Sequence, residues 1–454
     1  MVFWIATTIF IISYGLIVSE KLDKTKVALI GAGLMMILKI VSQHEAFYHE
    51  KYAIDYNVIF LLIGMMIIVN ILSKTGIFQF LAIKSAKLAK GKPFLILIYF
   101  TCITAILSAL LDNVTTVLLL VPVTLFTADE LELDPFPFLI SEVMAANIGG
   151  TATLIGDPPN IMIASKVQLT FMDFIYHTAP AVFFIFTFFL LTIKFLFGRK
   201  LQVREELSQK ILAIDEYKLI KNSNLLKKSL CVLGMVILGF ITHGIFHYEP
   251  ATIAIFGAAV LLIVSKEDPH QVLRELEWPT LFFFIGLFII VGGVVKVGLL
   301  SKLSEGMISL TKPSAENMFF TAITTLWFSA LSSAIVDNIP FVASMIPLVT
   351  DTAHAVLPPG MDVKSVIQHS TLMPVWWSLA LGACLGGNGT PVGASANVIT
   401  IGLSEKAGYP ISFKKFLVYA IPITMETIII SNIYIWLRYY VFVKILVSPQ
   451  GIYQ

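Results

Sequence analysis

The sequence predicts an all-α, polytopic membrane protein built as an inverted repeat, with two re-entrant hairpins and two broken transmembrane helices. Three observations predict it: an apolar composition, a series of membrane-length apolar segments, and polar and Gly/Pro motifs that recur at fixed offsets. The 454 residues are 57% hydrophobic and only 13% charged, with a mean hydropathy of +0.86. Soluble globular chains carry roughly 25% charged residues, so this chain lacks the polar surface that folding in water requires. Its 31 basic and 29 acidic residues nearly cancel, to a net charge of +2, which excludes a polycation that grips nucleic acid.

Crossing a bilayer takes about 20 apolar residues in helical form, because irregular backbone facing lipid leaves its polar groups unpaired. Segments that qualify run over 2–18, 27–42, 55–73, 93–111, 136–170, 174–197, 229–246, 251–265, 277–295, 314–335, 370–403 and 414–443. The first reads as a retained helix and not a signal peptide, since no charged stretch precedes it and no clear cleavage site follows. The longest polar interval, 198–228, holds eight basic residues (Arg199, Lys200, Arg204, Lys210, Lys218, Lys221, Lys227, Lys228) against four acids. By the positive-inside rule it is cytoplasmic. The lysine-bearing stretches 19–26 and 74–92 then also fall inside, and 43–54, with His44, Glu45, His49 and Glu50, falls outside. This is self-consistent only if 93–126 enters and returns as a hairpin, which keeps the acidic turn Asp129, Glu130, Glu132, Asp134 inside.

The repeat follows from register. Ser108, Asp112, Asn113 and Pro122 match Ser333, Asp337, Asn338 and Pro347, each 225 residues later. Gly149, Gly150, Thr153, Gly156 and Asn160 match Gly386, Gly387, Thr390, Gly393 and Asn397, each 237 residues later. Gly64 and Gly76 match Gly286 and Gly298 at an offset of 222. The halves are 1–197 and 229–454, joined by the cytoplasmic linker 198–228, and the charge argument gives them opposite orientation. In such proteins a small solute sits near the midplane between discontinuous helices. Two breaks are hairpin tips, Asp112-Asn113-Val114-Thr115 and Asp337-Asn338-Ile339-Pro340; two are Gly/Pro-rich interruptions over 149–160 and 386–397. Pro158, Pro159, Pro340 and Pro391 remove backbone donors there. The candidate substrate and ion ligands are therefore Asp112, Asn113, Thr115, Gly149, Gly150, Thr153, Asp157, Asn160, Asp337, Asn338, Gly386, Gly387, Thr390 and Asn397. An ionisable group at bilayer depth costs at least about 2.5 kcal/mol on insertion scales, so function is its default explanation.

At these residues the chain resembles the ion transporter superfamily, and within it permeases of the arsenite-pump and sodium/proton-antiporter type, with their citrate-transporter-like domain. The strings Leu111-Asp-Asn-Val-Thr-Thr116 and Asn147-Ile-Gly-Gly-Thr-Ala-Thr-Leu-Ile-Gly-Asp-Pro-Pro-Asn160 look most like the branch containing the melanosomal P protein. The resemblance covers essentially the whole chain. It implies scaffold helices over 1–73 and 229–295, a hairpin and a broken helix over each of 93–170 and 314–403, and homodimers that work by an elevator motion. Sodium-coupled dicarboxylate members carry Ser-Asn-Thr at each tip and broken helix. Here aspartate replaces the serine at both tips and the second threonine is absent. The resemblance thus implies sodium at Asn113 and Asn338 and a backbone role for Gly149, Gly150, Gly386 and Gly387, but not dicarboxylate binding.

Charge points the same way. The breaks hold Asp112, Asp157 and Asp337 and no Lys or Arg, which suits a cation or a neutral solute such as arsenite, with H+ or Na+ as coupling ion and no cofactor. The expectation is a proton-coupled secondary transporter in a bacterial or archaeal cell membrane; the alternatives are a sodium-coupled dicarboxylate carrier and a passive channel. An enzyme is not expected, since no His/Cys/Glu cluster has catalytic or metal-ligand spacing, and Cys102, Cys231 and Cys384 sit in apolar stretches. No GxxxxGK[ST] motif supplies ATP drive within the chain, which leaves room for a separate ATPase subunit. Segments 76–91 and 299–312 read as interfacial amphipathic helices, Glu142 as interfacial, and Trp376 and Trp377 as aromatic-belt anchors.

Overall fold

The computed structural model describes residues 1–19, 21–49, 54–198, 201, 209, 212–314, 318–357 and 363–442. Glu50, Arg199, Lys200, Arg204 and Lys210, which enter the side assignment, lie outside the described residues. The first half contains α1 (Val2–Ser19), α2 (Lys24–Ile37), α3 (Gln43–Tyr48), α4 (Tyr56–Ser73), α5 (Ile77–Leu88), α6 (Pro93–Leu110), α7 (Asn113–Glu130), α8 (Phe136–Gly150), α9 (Pro158–Val167), α10 (Phe171–His177) and α11 (Ala179–Phe197). The second contains α12 (Ser223–Phe246), α13 (Pro250–Ser265), α14 (Pro269–Arg274), α15 (Trp278–Lys296), α16 (Leu299–Thr311), α17 (Phe319–Ile335), α18 (Asn338–Val356), α19 (Val363–Ile367), α20 (Met373–Gly386), α21 (Ser395–Lys406) and α22 (Phe413–Trp436). Nine of the described helices are long and apolar enough to cross a membrane, and the protein is an all-helical, multi-pass membrane protein.

Helix order largely repeats, down to the six-residue α3 and α14, each of which starts after a polar cap, Ser42 or Asp268; among the described residues α10 and α19 are the short helices without a counterpart in the other half. The packing repeats too. Helix α4 lies on α13 and α2 lies on α15, so two helices of the first half pack on two of the second. Both crossings are close: a Cβ on Gly64 would sit 2.6 Å from the Ala254 carbonyl carbon, and one on Gly286 would sit 2.7 Å from that of Ala28. Only glycine lets the two backbones approach so nearly. Helices α5 and α16 each begin at a glycine with φ near +80°, Gly76 and Gly298, which swings the chain out of the preceding helix.

Polar contacts between connecting segments fall into two groups. In one, Lys74 pairs with Glu267 and Glu275, Lys87 with Glu216, Lys415 with Asp134, and Tyr409 donates to Asp129. In the other, Lys296 pairs with Glu45, the Phe171 amide donates to His243, Tyr434 donates to the His177 carbonyl, and Gln368 donates to the Val167 carbonyl. The first group contains the segments 74–92 and 198–228 and the acidic turn Asp129 to Asp134, all expected inside, and the second contains 43–54, expected outside.

The segments 136–170 and 370–403 each divide into two helices around an irregular stretch, as the Gly/Pro clusters require. Helix α8 is buried along all fifteen residues, and α20 is buried throughout from Pro374; helices apolar on every side belong in the interior. Two expectations fail for this reason. Glu142, on α8, is buried and accepts from Thr124 Oγ1 at 2.7 Å. Trp376 and Trp377, on α20, are fully buried, Trp376 donating to the Ile367 carbonyl and Trp377 stacking on His177.

Candidate functional site

Each hairpin is made by an apolar helix that ends at an extended residue, followed by an aspartate that caps the returning helix. Asp112 accepts from the Thr115 amide at 2.8 Å and its hydroxyl at 2.5 Å; Asp337 accepts from the Ile339 amide at 3.1 Å. An Asp at this position satisfies an orphan N–H and complements the positive end of the helix dipole. The hairpins then seat on the broken helices through duplicated bonds. Ser108 donates to the Ala146 carbonyl and Ser333 to that of Ala383, both at 2.6 Å. A Cβ on Gly149 would lie 2.2 Å from the Ala105 oxygen, and one on Gly386 2.5 Å from that of Ala330.

Several predicted ligands are engaged in holding the breaks themselves. Thr153 donates to the Ala109 carbonyl and Thr390 to that of Ala334. Asn160 Nδ2 binds the carbonyls of Gly150, Thr151 and Thr153, and Asn397 Nδ2 binds those of Gly387 and Thr390. These side chains satisfy carbonyls that the unwound backbone leaves open, which any buried break demands.

What remains is a cross between the halves. Asn338, at the second tip, points Nδ2 at both oxygens of Asp157, in the first break, at 3.3 Å. Its backbone N–H binds the Gly393 carbonyl at 3.2 Å, in the second break. Asn113, at the first tip, donates to Asn147, which in turn donates to Asn388 at 2.8 Å and Asn397 at 3.0 Å. Cys384 donates to Asn160 Oδ1 at 3.4 Å. The starts of α7, α9, α18 and α21 share a cavity of about 380 Å³, lined by Asp112, Val114, Pro158, Asp337, Val392 and Ser395. All fourteen predicted residues thus belong to the tips and breaks, and the structure brings the second tip against both breaks.

Sequence reasoning missed four residues. Asn147 and Asn388 have no matching asparagine in the other half, where Cys384 and Thr151 stand at the 237 offset, so a search for duplicated polar residues passes over them. Ser395 stands opposite Pro158 for the same reason. Lys24 begins α2, far from any motif. Its Nζ lies 3.0 Å from Asp337 Oδ2 and 2.5 Å from Ser395 Oγ, so the expectation that no basic side chain enters the site is corrected. Among the described residues no three His, Cys, Asp or Glu side chains gather to hold a metal ion.

Paired hairpins, two broken helices and a cavity between their tips that holds Asp112 and Asp337 define a membrane transporter. The model of the CitMHS family, described as citrate transporter, matches residues 14–382, and the chain belongs to that family. It is 44% identical over 439 residues to an uncharacterized transporter of Mycobacterium tuberculosis, covering 96% of this chain and 99% of the relative. It is 32% identical to the human P protein over 95% of this chain and 59% of the longer relative. Among solved structures, MtrF of Neisseria gonorrhoeae, described within a class of antimetabolite efflux pumps, superposes with a TM-score of 0.57 at 13% identity, covering 91% of this chain and 86% of that one; the likeness is one of fold.

Proposed function

We propose that this protein is a secondary active transporter that moves a small cation in exchange for protons, with arsenite as the neutral alternative. The hairpins and broken helices would move as one body against the scaffold helices in an elevator motion within a homodimer. The observation that carries the reading is Asp157. It is fully buried, and among the described residues it is met by the neutral side chain of Asn338. A buried carboxylate requires a proton or a cation as counter-charge, and exchanging the two is the minimal chemistry of an antiporter. The mycobacterial relatives support a bacterial cell membrane as location. The sorting of loop contacts into two groups supports an inverted relation of the halves.

The second reading is citrate, which the family description names. Lys24 and four converging helix N-termini favour it, although three aspartates stand against it. Uptake by proteoliposomes under an imposed pH gradient tests both, scanning Na+, Li+, arsenite and citrate. Uphill accumulation of Na+ or Li+ is the expected result. Accumulation of citrate alone would establish the second reading, and movement only down its own gradient would make the protein a channel.

A further inference from the structure

Asp337 and Asp112 occupy the same repeat position, each cap the helix that follows and line the same cavity. Their charges are handled differently. Asp337 is 6% exposed and holds an ammonium, Lys24 Nζ, at 3.0 Å. Asp112 is paired with the Thr115 hydroxyl and, among the described residues, with no Lys or Arg. The ammonium is itself placed by two more contacts, the Ser395 hydroxyl at 2.5 Å and the Phe283 ring, whose centroid is 4.9 Å away. Ser395 also donates to Asp337 at 2.8 Å, so carboxylate, hydroxyl and ammonium close a three-membered ring of contacts.

The elements that contribute these groups differ in kind. Lys24 is the first residue of α2, a helix packed on α1 and α15, whereas Asp337 and Ser395 open α18 and α21 at the tip and break. The repeat has no second copy of the device: the helix matching α2 is α13, and its first residue is Pro250. Phe283, Asp337 and Ser395 therefore surround one cation, on one tip only, and that cation is tethered to a different part of the molecule.

Building on the proposed cation transport, we propose that Lys24 is the resident counter-cation of Asp337, filling the cation position of the empty site, and that a transported cation must displace it. An aspartate left alone at this depth would be a bare charge in a largely apolar surround, which is costly. The lysine removes that cost without a solute. The same contact ties the tip to α2, so the tip is held while the site is empty and released once a solute cation neutralises Asp337. Lys24 is thus a specificity and gating residue: it disfavours return of a cation-free tip with an unpaired charge, and it sets the affinity that an incoming cation must exceed.

The test reads Lys24 directly. The purified protein in proteoliposomes with choline as the only bulk cation is treated with a limiting amine-acylating reagent, and modification of Lys24 is followed by mass spectrometry. Asp337→Asn should raise its modification rate about fivefold, the scale of a weak ion pair lost, with size-exclusion profiles checking that the variant is folded. An unchanged rate would overturn the counter-cation. Adding Na+ or Li+ to the wild-type protein should raise the rate toward that of Asp337→Asn. If the variant responds but neither cation does, then displacement by a transported cation is overturned while the ion pair stands, and the uptake assay decides separately whether the protein carries a cation. Lys24→Met, which keeps the stem and removes the charge, should bind Na+ or Li+ about fivefold more tightly in equilibrium titration, and Lys24→Arg should not. Weaker or unchanged binding by Lys24→Met would also overturn the proposal.

Discussion

The two breaks are built alike and furnished differently. In each, a threonine pins the unwound backbone to the hairpin, an asparagine gathers its loose carbonyls, and a glycine admits the hairpin helix. Past that shared frame, the contacts that cross between halves diverge. Asn147 reaches Asn397 where its image Cys384 reaches Asn160, an amide answering a thiol. Asn338 finds Asp157, whereas the image of Asp157 is Ala394, and Asn113 turns instead to Asn147. Duplication supplied the backbone device twice; acid, thiol and lysine were placed once each. The frame is what a break needs to exist in a membrane, and the asymmetric groups are what distinguish its two ends chemically.

The frame predicts the largest effect. Gly149→Val adds atoms where a Cβ alone would lie 2.2 Å from a backbone oxygen. Backbone cannot give as a flexible side chain can, so the hairpin must lift off α8. Gly386→Val should act alike, since its Cβ would lie 2.5 Å from the Ala330 oxygen. Both should abolish transport and cut the yield of monodisperse protein, through overpacking of about 1–3 kcal/mol or more. Gly234→Ala is the control, because nothing lies within 4 Å of its Cβ position. Full yield and flux for either valine variant would show that the two frames are not equivalent.

The asymmetric groups predict a division of labour. Asp157→Asn should flatten the dependence of flux on pH, because it removes the buried acid of the first break, which neutral donors meet. Asp337→Asn should chiefly raise the half-saturating concentration of the solute, through the loss of its charge in the cavity. Asp112→Asn should do least, since asparagine caps a helix about as well as aspartate and Asp112 has Thr115 as its main partner. Flux against pH and against solute concentration in proteoliposomes checks all three. A pH profile unchanged in Asp157→Asn but lost in Asp112→Asn would reverse the assignment.

Much of the frame was legible in the sequence, and for a physical reason. Gly149, Gly386, Pro158, Pro391 and the tip Asp-Asn pairs carry backbone constraints that few other residues meet, so they mark their positions wherever the fold is duplicated. Glu142, Trp376 and Trp377 misled because hydropathy reports that a segment is apolar and not how many neighbours surround it; α8 and α20 are wrapped on all sides, which places an acid and two indoles in the interior. Lys24 was invisible because a lysine at the start of a helix is ordinary, and only folding carries α2 past the second tip. Asn147 and Asn388 stand inside a motif but without an image, and their role comes from contacts that span roughly 240 residues of chain.

The smallest effect concerns the edges of the same pseudo-symmetric pattern. Lys74 and Lys296 are images at an offset of 222, and each reaches the acids flanking or within a six-residue helix of the other half. Lys74 faces Glu267 and Glu275 beside α14, whereas Lys296 faces Glu45 of α3 alone. The Lys296 ammonium first, and then the Ser42 amide and hydroxyl, hold the Glu45 carboxyl down at about 2. A carboxyl lowered on folding contributes stability that is present above its unfolded value, near 4.3, and is lost as pH falls toward the folded value. Lys296→Met should therefore lower the unfolding temperature slightly at pH 7, by no more than an exposed ion pair's ~1 kcal/mol, and the gap from wild type should close as pH approaches 2. Lys74→Met should cost somewhat more, because it strands two carboxylates instead of one. Thermal unfolding in detergent across this pH range measures both. A gap for Lys296→Met that widens on acidification would mean that Glu45 is not the group its lysine stabilises.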